Sequence, residues 1–373
     1  RSHELRTFAR QLHAEGYQTG FIGKWHMGND PTPRPGFDYW SAMKGQGEAI
    51  DPELFENGRL ARATGYVTDL FTERALRFIA EPRSSPFLLM LSHKALHPNI
   101  LQQADGTTVP IGEGGFIPAE RHKKLYAGSL LPHRGNYGVP PRGKPALERR
   151  IEGLAPLGKG TVTPDGTILD RLRMLVAVDE SLGRIMEELE KQGVLDKTVV
   201  ILVGDNGYFF GEHGLGPERR FAYEEGIRAP FLLRYPRKAK PGARLRELVI
   251  CQDIAPTLIE LAGGKPGAQI QGRSLAPLLA GRRAGWRKEF LVEYWAEQAM
   301  PWLVGMTYKA VRTGRHKLIR WVNRGIDGEL DELYDLERDP FELKNLARSA
   351  RHARVRTALR RDMRRLAADA LGL

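Results

Sequence analysis

With 373 residues, 41% of them hydrophobic and 27% charged, the chain has enough apolar material for one large domain, or for a large one with a small companion. No stretch approaches the roughly 20 apolar residues that span a bilayer, so no membrane partner is expected. The net charge of +12 suits anionic partners, but there is no aromatic RNA-binding motif and no Cys/His finger, which sets nucleic acid aside. The single cysteine, Cys251, excludes a disulfide framework and, beside Val249 and Ile250, is expected as a small buried residue. The first residue is Arg1 rather than Met, and no signal-peptide pattern is present.

In chain order, residues 3–15 carry Leu5, Phe8, Ala9 and Leu12 at helical spacing, stopped by Gly16. A strand is expected over 17–22, ending in a glycine-flanked turn that carries Lys24 and His26. Residues 64–80 read as a helix with Val67, Leu70, Phe71, Ala75 and Phe78 on one face. A second apolar strand over 86–91 runs into Ser92-His93-Lys94-Ala95-Leu96-His97-Pro98. Residues 102–159 hold many Gly and Pro and little periodicity, and a loop of that length is expected to face a substrate.

The clearest helix covers 170–192, with Leu172, Leu175, Val176, Leu182, Met186 and Leu189 near a 3.6 period. It leads through Gly193 into the β-branched run 198–203, expected as a strand buried on both faces. That strand ends at Gly204-Asp205-Asn206-Gly207. Ligands of open α/β sheets sit beyond the carboxyl ends of strands, and these two side chains offer oxygens suited to Ca²⁺ or Mg²⁺. Asp-Asn-Gly is equally ordinary turn chemistry. A strand over 230–235 and helices over 253–261 and 274–279 follow. From about 285 the pattern changes: 289–294, 306–312, 316–321 and 332–336 read as strands joined by short turns, hence an antiparallel sheet. Asp339-Pro340-Phe341-Glu342 reads as a capping box opening a helix, and 351–370 as an amphipathic cover helix. The expected division is 1–284 and 285–373.

Three apolar strands thus end in complementary polar residues: Lys24 with His26, His97, and Asp205 with Asn206. If the strands are parallel neighbours, all three sets share one sheet edge, and Arg219 follows closely enough to join them. A hard-metal half-site beside cations and imidazoles suits a tetrahedral anionic ester, with a histidine to protonate a leaving oxygen. It does not suit dinucleotides, since no Gly-x-Gly-x-x-Gly or phosphate-loop motif is present.

At this point the sequence resembles the sulfatase family of the alkaline-phosphatase superfamily. The matching stretches are 16–28 with Gly23-Lys24-Trp25-His26, 92–98, 203–207, 223–228, 253–257, 272–275, 333–336, Asp339-Pro340 and Asn345-Leu346. The resemblance implies an α/β fold with a mostly parallel sheet sandwiched by helices, and a small C-terminal α+β subdomain built on an antiparallel sheet. It implies a sulfuric ester hydrolase, and the run 208–214 points to carbohydrate sulfates. Asp205 and Asn206 would be two ligands of one Ca²⁺. Lys24 would contact sulfate, His26 would orient the nucleophile and help expel bound sulfate, and His97 would stand at the leaving oxygen as general acid or sulfate contact. Arg219 stands where family members usually carry lysine, and His213 would border the substrate. The family's formylglycine arises from a Cys/Ser-x-Pro-x-Arg motif that this sequence lacks. The resemblance therefore implies an N-terminally truncated chain. The nucleophile, the first strand and an Asp pair completing the Ca²⁺ site would lie upstream; the fragment would be inactive, with an unpaired strand edge or an apolar groove. Its partner would be a sulfated small molecule or glycan, and the full-length protein would be periplasmic or secreted. Two alternatives stay open: a phosphodiester or phosphonate monoester hydrolase of the same superfamily, and a non-catalytic binder of sulfated glycans.

Overall fold

A computed structural model describes residues 4–27, 30–56, 58–103, 107–112, 114–295, 301–323 and 330–371. Gly28, which closes the first family-like stretch, and parts of 102–159 (104–106 and 113) lie outside the described residues. Helix α1 (Phe8–Ala14) leads to β1 (Gln18–Lys24), β2 (Tyr39–Met43), β3 (Glu53–Glu56) and β4 (Arg59–Arg62), then α2 (Val67–Ala80) and β5 (Phe87–Ser92). A small hairpin, β6 (Ile100–Gln102) with β7 (Thr108–Pro110), precedes the long α3 (Asp165–Lys191). Strand β8 (Val200–Val203), α4 (Glu224–Ile227), β9 (Phe231–Arg234), α5 (Ile254–Leu261) and α6 (Ala276–Leu279) follow. The chain closes with β10 (Glu289–Tyr294), β11 (Met306–Thr313), β12 (His316–Asn323), β13 (Leu330–Asp335) and α7 (Ala353–Leu371).

The five-stranded sheet has the order β4-β3-β2-β1-β5. β1 runs parallel to β2 and β5, whereas β2–β3 and β3–β4 are antiparallel. β1 is covered on both faces: Ile22 joins Met43, Val67 and Phe71 beneath α2, with Ile185 of α3, while Phe21 stacks on Trp40 among Trp25 and Phe37. Such a central strand reads as a continuous apolar run because neither face meets water.

The expected parallel neighbourhood therefore holds for β1 and β5. β8 is different: it pairs antiparallel with β9, and no ladder joins it to β5. Its side chains are half-buried, and Val203 is 40% exposed, rather than buried on both faces. The reason is spatial, since β5 and β8 both border a groove with apolar walls from α3 and α5. Cys251 also lines this groove and is exposed rather than buried. The 3₁₀ turn Cys251–Asp253 points Asp253 inward to Arg287 instead (Nη2 to Oδ1, 2.7 Å).

The C-terminal strands form the expected antiparallel sheet, in the order β10-β11-β12-β13, and α7 covers it through Val355, Leu359, Met363 and Leu366. The sheet's other face shares a core with Phe209, Phe221 and Tyr223. No helix begins at Asp339. Glu342 is left-handed (φ 52°) and fully buried, because its carboxylate accepts from the Glu224 amide at 2.7 Å and from Lys317 Nζ at 2.8 Å. Much of 102–159 is packed rather than free, with Asn136, Lys144, Ala146 and Leu147 buried.

Candidate active site

β1 and β5 deliver their polar ends side by side because Gly23 (φ 123°) pairs with Ser92 in register. A Cβ at Gly23 would stand 2.0 Å from the Ser92 carbonyl oxygen, so no other residue allows this approach. Just beyond, Lys24 Nζ donates to Gln46 Oε1 at 2.6 Å, and Gln46 Nε2 lies 3.0 Å from His26 Nε2. From the β5 side comes Lys94, only 2% exposed, whose Nζ donates to the Pro98 carbonyl at 2.9 Å and the Gln46 carbonyl at 3.2 Å. The His97 amide donates to the Lys94 carbonyl, and its Nδ1–H to the Pro98 carbonyl at 3.1 Å.

The Asp205 turn is held from below. The Gly207 amide donates to the Gly226 carbonyl at 2.9 Å, and a Cβ at Gly207 would lie 1.9 Å from the Glu225 carbonyl oxygen. Asp205 is exposed, and its Oδ1 accepts from the Asn206 amide at 2.9 Å.

Electrostatics place these groups in one neighbourhood. Burial lowers the Lys24 ammonium to about 8, with Asp205 opposing the shift and Arg219 adding to it. Burial and the Lys24 charge lower Lys94 to about 7. Burial, then Lys24 and Lys94, hold His97 at about 3, so its ring is uncharged at neutral pH. Cations crowded enough to suppress one another form a receptor for an anion, which relieves the repulsion on entering. The sign follows: sulfate binding needs the charged amines and weakens as pH rises through their pKa values. From about pH 7 to about pH 9, Lys24 goes from mostly charged to mostly neutral and Lys94 loses the charge it still holds, so affinity for inorganic sulfate is expected to fall at least about tenfold. Titration calorimetry at fixed ionic strength checks this, and a flat profile would refute it.

Lys24, His26, His97, Asp205, Asn206 and Arg219 all line one cavity of about 2510 Å³ whose other end is the apolar groove. His213 does not. It is 1% exposed, its ring packs on Tyr223 at 4.7 Å, and burial drives its pKa well down. It is a core histidine, because the left-handed turn at 213 (φ 58°) folds it under the Asn136 segment (Nε2 to Asn136 Nδ2, 3.3 Å). Lys94 and Gln46 were missed. A lysine inside a family-like strand-end turn was a usable signal for the first; nothing local marks Gln46. Asp205 and Asn206 have the donor chemistry for Ca²⁺ but supply two of the six to eight oxygens it takes. Among the described residues no group of three or more His, Cys, Asp or Glu is placed to hold a metal.

A cation-lined pocket at the ends of α/β strands, with a hard-oxygen turn in its wall, sits here in an alkaline-phosphatase-like fold. The chain belongs to the sulfatase family: the sulfatase family model matches residues 1–264, and one described as N-sulphoglucosamine sulphohydrolase, C-terminal, matches 211–369. The family is in general metal-dependent. An N-acetylglucosamine-6-O-sulfatase of Bacteroides thetaiotaomicron is 30% identical over 95% of this chain and 71% of its own length. The N-acetylglucosamine-6-sulfatase of Capra hircus is 27% identical over 90% of this chain, which spans only 63% of that relative. A protein solved in complex with its substrate D-glucosamine-2-N,6-O-disulfate superposes with a TM-score of 0.80 at 29% identity, covering 97% of this chain and 82% of the other. No described helix is long and apolar enough to cross a membrane.

Proposed function

We propose that the protein carrying this chain is a calcium-dependent sulfatase that removes sulfate from amino-sugar residues of a glycan, glucosamine 6-O-sulfate foremost. The observation that carries the reading is the convergence of Lys24, Lys94, His97 and Arg219 on one pocket opposite Asp205. The relatives' substrates support the choice of sugar. Asp205 and Asn206 would hold the ion together with ligands from outside the described residues; bound there, it would draw electron density from a sulfate oxygen. In this reading the nucleophile would be a formylglycine, for which these 373 residues carry no Cys/Ser-x-Pro-x-Arg motif.

Within the chain, Lys24, Lys94 and Arg219 neutralise the non-bridging oxygens. His97, held uncharged first by burial and then by its lysine neighbours, lines the same pocket and is the group that would pass a proton to the leaving oxygen. Residues 1–284 would carry the reaction, and 285–373 would support the Tyr223 segment. An extracytoplasmic location, periplasmic or secreted, fits a glycan substrate.

Sulfate release from glucosamine 6-O-sulfate, galactose 6-sulfate and a phosphate monoester by the full-length protein is the test. Calcium-dependent release, fastest on the glucosamine ester, is expected, whereas preference for the phosphate ester overturns the reading. The 373-residue chain by itself is expected to release none, and turnover by it would overturn the assignment of the nucleophile.

A further inference from the structure

We infer that Gln46 is a positioning residue that fixes the ring tautomer of His26 while it aims Lys24. Gln46 lies in the loop after β2 and is 5% exposed. An amide has one acceptor end and one donor end, and an ammonium only donates. The 2.6 Å contact with Lys24 Nζ therefore assigns the near atom of Gln46 as the oxygen and leaves no freedom to flip the amide. The other end is then NH₂, and it lies 3.0 Å from His26 Nε2. Two donors cannot face each other at that distance, so His26 Nε2 must present a lone pair and the ring proton must sit on Nδ1. Lys24 thus dictates, through one side-chain amide, which nitrogen of His26 is the donor. The Gln46 backbone is anchored in turn, since its carbonyl accepts from Lys94 at 3.2 Å. The motif lysine, the motif histidine and the lysine before His97 are therefore joined through a residue some twenty positions away from the first two.

The kinetic consequence rests on the sulfatase reading; the tautomer does not. Long-range ¹H–¹⁵N correlation spectra of the labelled 373-residue chain, with the His26 signals identified by their loss in His26→Gln, are expected to show Nε2 unprotonated and Nδ1 protonated. In Gln46→Glu, a near-isosteric change, both carboxylate oxygens accept, and the pattern is expected to invert. A wild-type ring protonated at Nε2, or an unchanged pattern in Gln46→Glu, overturns the proposal. The wild-type tautomer is read without any change at Gln46, so a misfolded Gln46→Glu leaves the question answerable. In the full-length enzyme, Gln46→Leu is expected to lower kcat about 10–100-fold with melting temperature kept, and an unchanged kcat refutes the positioning role. If the wild-type enzyme cleaves no sulfate ester, the functional reading fails while the spectra still decide Gln46.

Discussion

In the full-length protein, Lys24→Met is expected to lower kcat/KM for a sulfate ester about 10³-fold, roughly 4 kcal/mol of transition-state stabilisation. Methionine keeps the length and apolar stem of lysine, so β1 and its partners Met43 and Ser92 lose no packing. What disappears is one fixed charge in the pocket wall, together with the donor that sets Gln46. Arginine is not expected to rescue, because a planar fork cannot take the place of a point charge 2.6 Å from the Gln46 oxygen. The same variant removes a cation that depresses both Lys94 and His97, so their pKa values rise, and stability is not expected to fall. Steady-state kinetics beside a thermal melt measure both halves. Activity within threefold of wild type would remove Lys24 from the reaction.

Lys317→Met is expected to destabilise the chain by about 3–5 kcal/mol, read from urea unfolding of the 373-residue polypeptide. Lys317 is fully buried between two carboxylates, with Nζ 2.8 Å from Glu342 and 2.9 Å from Glu224. Burial works to raise the Glu224 carboxyl, but Lys317 and Arg312 outweigh it and hold the group at about 2. Removing the lysine leaves Glu342 charged in a dry core, or forces it to take a proton. Replacing Glu342 by Gln as well removes the orphan charge, so the double variant should recover more than half of the loss. The consequence reaches the site: Glu342 holds the Glu224 amide, and the adjoining Glu225 and Gly226 backbone holds Gly207. A loss below 1 kcal/mol in Lys317→Met would show that this network is not what supports the Asp205 turn.

That Lys24, His26, His97, Asp205 and Asn206 line one cavity was legible in the sequence because each stands in the polar turn after an apolar run, and strand ends are where α/β sheets place ligands. The antiparallel C-terminal sheet and α7 were legible for a related reason: periods of 2 and 3.6 survive wherever one face of an element meets water. The pairing of β8 with β9 was not, since a short apolar run says that a strand forms but names no partner. His213 was misjudged because a Glu-His-Gly turn reads alike on a surface or in a core, and only the packing of Asn136 and Tyr223 over it decides. The Asp339 to Glu342 stretch has a helix-start pattern, yet Glu342 is drawn off by Lys317, a residue on β12 whose pull outweighs a cap.

By itself, then, the sequence determined which residue types stand at the ends of β1, β5 and β8, and hence that a hard-oxygen turn and a set of cations and imidazoles are available to an anion. The tertiary structure alone decided how these groups act on one another. It buried Lys24 and Lys94 deeply enough to lower both, placed Gln46 between Lys24 and His26, and seated the Asp205 turn on a backbone held by the C-terminal sheet. Burial and charge repulsion depend on distances between residues far apart in the chain, and no local pattern encodes those distances.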